Sequence, residues 1–202
     1  TFPAPIIHGR VPFMANLDPS WAGIDVVELM DRHLGRTIVA LNDADAAGLG
    51  EAIYGAAKDV PGVVIVTTLG TGIGSAIIND GVLIPNSELG HLEIDGHDAE
   101  TQASAGQKTA QKLDWVTWAG RLQRYYSHVE MLFSPDLFVI GGGVSANHEK
   151  FLPMLTLRTP VIPAQLRNNT GIVGAASEAA RAAHTYTGTH RMANQRTGVT
   201  PR

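Results

Sequence analysis

A carboxylate at the end of a strand can take the proton of a hydroxyl as that hydroxyl attacks, and Asn42-Asp43 offers one. The dipeptide sits where a β-branched run, 37–41, gives way to an Ala-rich helical stretch reaching about Lys58. Open α/β sheets gather their ligand-contacting residues at such strand ends. Asp43 or Asp45 would serve equally as a helix cap by accepting backbone N–H bonds, and the dipeptide alone does not choose. A second candidate is the reversal Leu69-Gly70-Thr71-Gly72-Ile73-Gly74-Ser75, with the hydroxyls of Thr67, Thr68, Thr71 and Ser75 close by. Small residues let amides converge on a phosphate. No Lys follows the glycines as in a P-loop, and a strand follows rather than the helix of a dinucleotide fingerprint. A glycine-rich hairpin without a ligand is the plainer alternative.

From Glu88 to Glu100 polar groups crowd one stretch, Glu88-Leu89-Gly90-His91-Leu92-Glu93-Ile94-Asp95-Gly96-His97-Asp98-Ala99-Glu100. Glu and His can hold the several hydroxyls of a sugar, and glycine permits close approach. The alternation of His91, Glu93, Asp95 and His97 also fits one face of a strand, hence a divalent metal site. A solvated loop is the third possibility. Further on, Phe138-Val139-Ile140-Gly141-Gly142-Gly143-Val144-Ser145 reads as strand, glycine loop and helix. Gly141, Gly143 and Ala146 loosely satisfy a dinucleotide pattern, but the acidic ribose residue about 20 positions on is missing. A loop that touches a phosphate donor through its backbone is favoured over simple packing.

These segments must be positioned by an α/β scaffold. Val63–Leu69 is a strand, Ser75 to Ile78 continues apolar, and Asn79-Asp80-Gly81 turns into a third strand from Val82 to Ile84. From Asp114 to Phe133, Trp115, Trp118, Leu122, Tyr125, Tyr126, Val129, Leu132 and Phe133 recur at helical steps until Ser134-Pro135-Asp136 stops them. Leu137 to Ile140 is a buried strand, 147–155 a short helix, Val161-Ile162 a short strand and 172–184 a closing helix. The last stretch, 185–202, carries three Arg and no acid and reads as a disordered tail.

Composition narrows the classes. With 44% hydrophobic and 17% charged residues the chain is an ordinary globular one, and zero cysteines exclude disulfides and thiolate metal sites. Fifteen Lys+Arg against 19 Asp+Glu give a net charge of −4, which leaves no global basic field for nucleic acid or an anionic membrane. The longest apolar runs fall far below the roughly 20 residues of a membrane span. No secretory signal is visible, and a cytoplasmic location is expected.

Taken in order and spacing, six segments resemble the sugar kinases of the ROK family, within the hexokinase/actin-like ATPase (ribonuclease H-like) superfamily. The segments are Ala15-Asn16-Leu17-Asp18-Pro19-Ser20-Trp21, the run from Leu41 to Gly48, the loop from Leu69 to Ser75, Leu83 to His91, Ile140 to Ser145, and Arg158 to Pro163. The likeness is closer still to the family's actinobacterial polyphosphate glucokinase and polyphosphate/ATP glucomannokinase branch. It implies an α/β fold in which 1–60 is the remainder of a small N-terminal domain and 61–184 a large C-terminal one. It implies that Asp43 is the general base acting on a sugar 6-hydroxyl, and that Asn16, Asn42, Glu88, His91 and Glu100 hold the other hydroxyls. Gly70, Thr71, Gly72 and Gly74 would form one phosphate loop and Gly141, Gly142 and Gly143 another. Glucose, and mannose with it, would be phosphorylated from polyphosphate or ATP with Mg²⁺, in a homodimer.

Two departures from the family pattern shape the expectations. The cysteine-rich zinc motif of many ROK kinases is absent, so neither zinc nor another protein-bound metal is expected. The superfamily's Asp-x-Gly-Gly-x-x-x-Lys loop does not occur in these residues, and Thr1-Phe2-Pro3 resembles a segment inside the N-terminal domain. An incomplete small domain and impaired turnover are therefore expected, with a sugar-binding module that does no chemistry as the alternative.

Overall fold

A computed structural model describes residues 1–14 and 17–196, and Asn16 therefore lies outside the described residues. Helix α1 (Val26–Leu34) starts on Asp25, whose carboxylate accepts the Glu28 amide, and ends on Gly35 at φ +60°. Helix α2 (Asp43–Tyr54) starts on Asn42. Between them the residues 37–41 form no strand, contrary to their β-branched character. Among the described residues only Phe2 pairs there, through an isolated parallel bridge to Asn42, and the next residue, Pro3, has no amide with which to extend a ladder.

The central sheet begins with β1 (Val63–Leu69), β2 (Ile73–Asn79) and β3 (Val82–Ile84). They form an antiparallel meander, and the β2–β3 turn places Asp80 at φ +48° and Gly81 at φ +79°, both left-handed as a tight hairpin requires. The polar stretch that follows folds as a two-residue hairpin, β4 (Glu93–Ile94) and β5 (His97–Asp98). Asp95 and Gly96 turn it with φ of +55° and +78°. This overturns the alternating metal face: the chain reverses between Glu93 and His97, and His91 sits in a preceding 3₁₀ turn.

Two short helices, α3 (Glu100–Ala103) and α4 (Ala105–Ala110), lead to the long α5 (Trp115–Phe133), which Ser134 ends in the left-handed region. Strands β6 (Leu137–Gly141) and β7 (Val161–Pro163) add in parallel to β1, giving the order β3-β2-β1-β6-β7. Between them lie 3₁₀ stretches at Gly143–Lys150 and Leu152–Met154 in place of the helix expected over 147–155. The closing helix α6 spans Thr170–Arg196, so the tail expected to be disordered is helical over 185–196, and its remainder, 197–202, lies outside the described residues. No proline interrupts 185–196.

Alternation along the strands separates two cores. Ile65, Leu69, Phe138 and Ile140 face α5, where Trp118, Leu122, Tyr125, Tyr126 and Val129 are buried as their spacing predicts. Val64, Val66, Ala76, Ile78, Leu137 and Val139 form the other face, against which α2 packs. Sequence grouped α2 with the N-terminal residues, yet it packs on the sheet and on α6. A smaller cluster of Ala4, Val11 and Val26 holds the N-terminal segment together.

Candidate active site

A cavity of about 430 Å³ lies where the N-terminal segment, α2 and the ends of β1 and β6 converge. Its wall includes Asn42, Asp43, Glu88, His91 and Glu100, together with Gly70, Thr71, Gly72, Gly74 and Gly142. The expected sugar-holding residues that the structure describes are thus brought to one place. Two expected phosphate contacts are not: Gly141 is buried at the end of β6, and Gly143 starts the 3₁₀ stretch facing solvent. Thr67 and Ser75 also turn away. The Thr67 hydroxyl pairs with the Tyr126 hydroxyl at 2.6 Å in the core, and Ser75 Oγ bonds Ser87 and the Leu89 amide.

The cap of α2 is neither Asp43 nor Asp45 but the residue before them. Asn42 is the cap, its Oδ1 accepting the amides of Ala44 at 2.7 Å and Asp45 at 3.1 Å. Asp43 is thereby left at the first helical position with its carboxylate toward the cavity, making no hydrogen bond to another side chain among the described residues. Burial raises its pKa even though it reaches the open cavity, and the amides of Ala44 and of Asp43 itself oppose that rise. Asn42 Nδ2 donates to Glu88 Oε1 at 3.4 Å, so the cap also orients a wall residue. Burial raises Glu88 as well; His91 pulls it down, while Asp45, Asp43 and Glu100 push it up.

His91 Nδ1 lies 2.8 Å from Asp98 Oδ2, which fixes the imidazole between Asp98 and Glu88. Burial lowers the His91 pKa, but the Asp98 bond and the carboxylates of Glu100, Asp98 and Glu88 outweigh it and leave a net rise. His91, Asp98 and Glu100 place ligand atoms within 4.8 Å of one another, although Asp98 is engaged by His91 and Glu100 by a backbone amide. Glu100 Oε2 accepts the Ile73 amide at 2.9 Å, crossing Gly72 so closely that a Cβ there would sit 2.2 Å from that oxygen. Neither the Thr71 nor the Gly72 amide donates to a protein acceptor among the described residues, which leaves two donors at the cavity. Gly142, at φ +82°, presses the second loop against β1: a Cβ there would lie 2.3 Å from the Leu69 carbonyl oxygen.

Sequence reasoning did not find the groups that hold this wall. Asp45 is 1% exposed and its Oδ2 accepts the Asn86 amide at 2.8 Å. Asn86, in the left-handed region at φ +62°, exchanges bonds with Ile6 through its side chain: Ile6 N–H to Oδ1 at 2.8 Å and Nδ2 to the Ile6 carbonyl at 3.1 Å. Helix α2, the loop before Glu88 and the N-terminal segment are thus clasped together. Asp45 Oδ1 is buried without a partner among the described residues, and burial raises the carboxyl from 3.8 to about 6, against the pull of the Asn86 amide.

A carboxyl that binds its proton more tightly folded than unfolded favours the native state at low pH. That advantage is lost as pH rises through about 6. Between about pH 4.5 and about pH 7.5 Asp45 should therefore remove about 2 kcal/mol of stability. Asp45→Asn keeps an acceptor for Asn86 and cannot ionise. Its melting temperature relative to the parent should rise by about 5 °C over the same interval. Parallel melting curves at the two pH values that show no relative change would remove Asp45 as the titrating group.

The ROK family model matches residues 1–109. The polyphosphate glucokinase of Mycobacterium tuberculosis (strain H37Rv) is 48% identical over 179 residues, covering 87% of this chain and 67% of the relative. That of Mycobacterium leprae is 45% identical over 177 residues, covering 87% of this chain and 55% of its own. The crystal structure of inorganic polyphosphate/ATP-glucomannokinase from Arthrobacter sp. strain KM is 59% identical, with a TM-score of 0.86 over 89% of this chain and 71% of that one. A ROK family glucokinase from Streptomyces griseus, solved with glucose and AMPPNP, shares the fold at 23% identity and a TM-score of 0.73.

Proposed function

The chain belongs to the ROK family, and from that premise we propose that its cavity binds glucose and passes a phosphoryl group to it from polyphosphate or ATP. The names of the relatives support the acceptor and both donors, and the Arthrobacter enzyme's name supports mannose as a second acceptor. One observation carries the reading. Asp43 presents a carboxylate uncommitted to other side chains in a cavity that also contains two unclaimed amides, those of Thr71 and Gly72.

In this reading Asn42, Glu88, His91 and Glu100 hold the ring hydroxyls, and Asp43 accepts the proton of the 6-hydroxyl. The hydroxyl oxygen bonds to the donor's terminal phosphorus as the bond from that phosphorus to its bridging oxygen breaks. The two amides receive charge on the non-bridging oxygens. Phosphoryl transfer asks mainly for alignment and charge stabilisation, so one placed carboxylate is enough protein chemistry. Mg²⁺ fits as a companion of the donor, held chiefly by phosphate oxygens and water. Glu88 and Glu100 are already engaged by Asn42 and the Ile73 amide. The ion would neutralise donor charge.

The test is to incubate the purified chain with glucose, Mg²⁺ and either donor, follow glucose 6-phosphate, and titrate glucose calorimetrically in parallel. Product from polyphosphate is the expected result. Heat of glucose binding without product from any donor would make the chain a sugar-binding module, and neither heat nor product would overturn the reading altogether.

A further inference from the structure

The side chains Lys108, Arg121, Arg124, Lys150 and Arg158 sort into two groups. Arg124 is clamped by Asp95 through two bonds of 2.8 and 2.7 Å, and Arg158 lies 3.4 Å from Glu130. Arg121 is spent on the Gln102 carbonyl and Gln111. Lys108 and Lys150 differ: neither has an acidic partner within 4 Å among the described residues, and both ammonium groups sit on the ring of Trp115, at 4.1 and 5.4 Å from its centroid. The indole is itself fixed, stacked on Phe151 at 6.0 Å and edge-on to Trp118 at 5.8 Å. Two ammonium groups gathered at one fixed ring make a local positive patch that attracts an anion. Asp114, which caps α5, feels the charge of Lys108 from beyond ion-pair distance, and its Oδ1 accepts the Thr117 amide at 2.7 Å.

Each of the two glycine loops at the cavity leads to one of these lysines. The Gly106 amide donates to the Gly70 carbonyl at 2.9 Å, so α4 starts against the first loop and Lys108 follows within it. Gly142 lines the cavity, and the 3₁₀ stretch that begins just after it ends at Lys150. At about 2 Å per residue that stretch reaches at most about 16 Å from the second loop. A chain of many phosphates can run on that far beyond the cavity, whereas a short donor ends nearer the group it transfers.

We propose that Lys108 and Lys150, held on Trp115, bind the trailing phosphates of a long polyphosphate donor whose terminal phosphate occupies the cavity. The proposal rests on the phosphotransfer reading and adds a second donor site to it. Lys108 also donates to the Leu113 carbonyl at 3.0 Å, so exposed Lys150 is the cleaner site to change. The control is Lys58→Glu, the same change of net charge beyond the far end of α2.

Lys150→Glu should raise KM for long-chain polyphosphate about tenfold, leaving kcat and the KM for tripolyphosphate within about twofold, while Lys58→Glu moves neither. The salt dependence of long-chain affinity should become shallower in Lys150→Glu. Equal effects on long and short donors, or none, would overturn the site and leave the phosphotransfer reading standing. The dissociation constant of long-chain polyphosphate, measured without glucose, separates the two in the other direction. If no donor yields product but Lys150→Glu still weakens polyphosphate binding about tenfold relative to Lys58→Glu, the site holds and the reaction does not. Unchanged binding removes the site whatever the turnover.

Discussion

Asp43→Asn should reduce glucose 6-phosphate formation about a thousandfold and leave glucose affinity within about threefold. The split follows from the division of labour at the start of α2. Asn42 makes the cap bonds and touches Glu88, so the helix and the sugar wall do not depend on Asp43. The amide is nearly isosteric and cannot accept the proton, so what disappears is the base alone. Burial raises the Asp43 pKa, and the acid limb of the parent's rate profile should accordingly lie above the ordinary carboxylate range. Asn42→Ala should behave differently, because it removes the cap and the Glu88 contact together: stability falls by about 1 kcal/mol and glucose KM rises. An Asp43→Asn enzyme that keeps more than about a tenth of parental turnover would mean that solvent or another group takes the proton, and that Asp43 is only a wall residue.

What could be read from sequence, and what could not, divides by the range of the interactions involved. Strand β1 and helix α5 were legible because Val63-Val64-Ile65-Val66 and the aromatic spacing from Trp115 onward report burial at their own positions. The glycine loops were legible as loops. Which of their residues face the cavity was not, since Gly141 and Gly143 differ from Gly142 only in where β6 ends and the 3₁₀ turn begins. Residues 37–41 look like a strand because their propensity is local, but a strand exists only with a partner, and theirs among the described residues is a single residue, Phe2. The metal face failed for the same reason in reverse, because period-two reading assumes no turn and Asp95-Gly96 supplies one. The clasp of Asp45, Asn86 and Ile6 joins residues 41 and 80 positions apart, and nothing local distinguishes them from a capped helix and a loop asparagine.

The same long-range logic makes Glu51 the residue whose loss should damage the fold most. Nothing in the Ala-rich sequence of α2 sets it apart, yet it is fully buried and accepts three backbone amides. Its oxygens accept the amides of Ala56 at 2.6 Å, Gln165 at 3.1 Å and Leu166 at 2.9 Å, and face the Thr170 hydroxyl at 3.4 Å. One carboxylate therefore joins the end of α2 to the segment that launches α6. Beside it the helices meet at glycines: a Cβ at Gly174 would lie 1.8 Å from the Ala46 carbonyl oxygen and one at Gly50 2.4 Å from that of Thr170. Packing that tight leaves little room for water to replace the lost acceptor.

Glu51→Ala strands three amides, each at about 1–3 kcal/mol, and should lower stability by about 4 kcal/mol, a large part of a typical domain's total. For a chain of this size that is a fall in melting temperature of about 12 °C. Glu51→Gln keeps the volume but turns an NH₂ toward amide donors, so it should recover less than half of the loss. Glu149→Ala, at an exposed position, should change stability by less than about 0.5 kcal/mol and calibrate the comparison. Urea unfolding that puts Glu51→Ala within about 1 kcal/mol of the parent would show that the α2–α6 contact stands on its glycines alone, with the carboxylate merely accommodated between them.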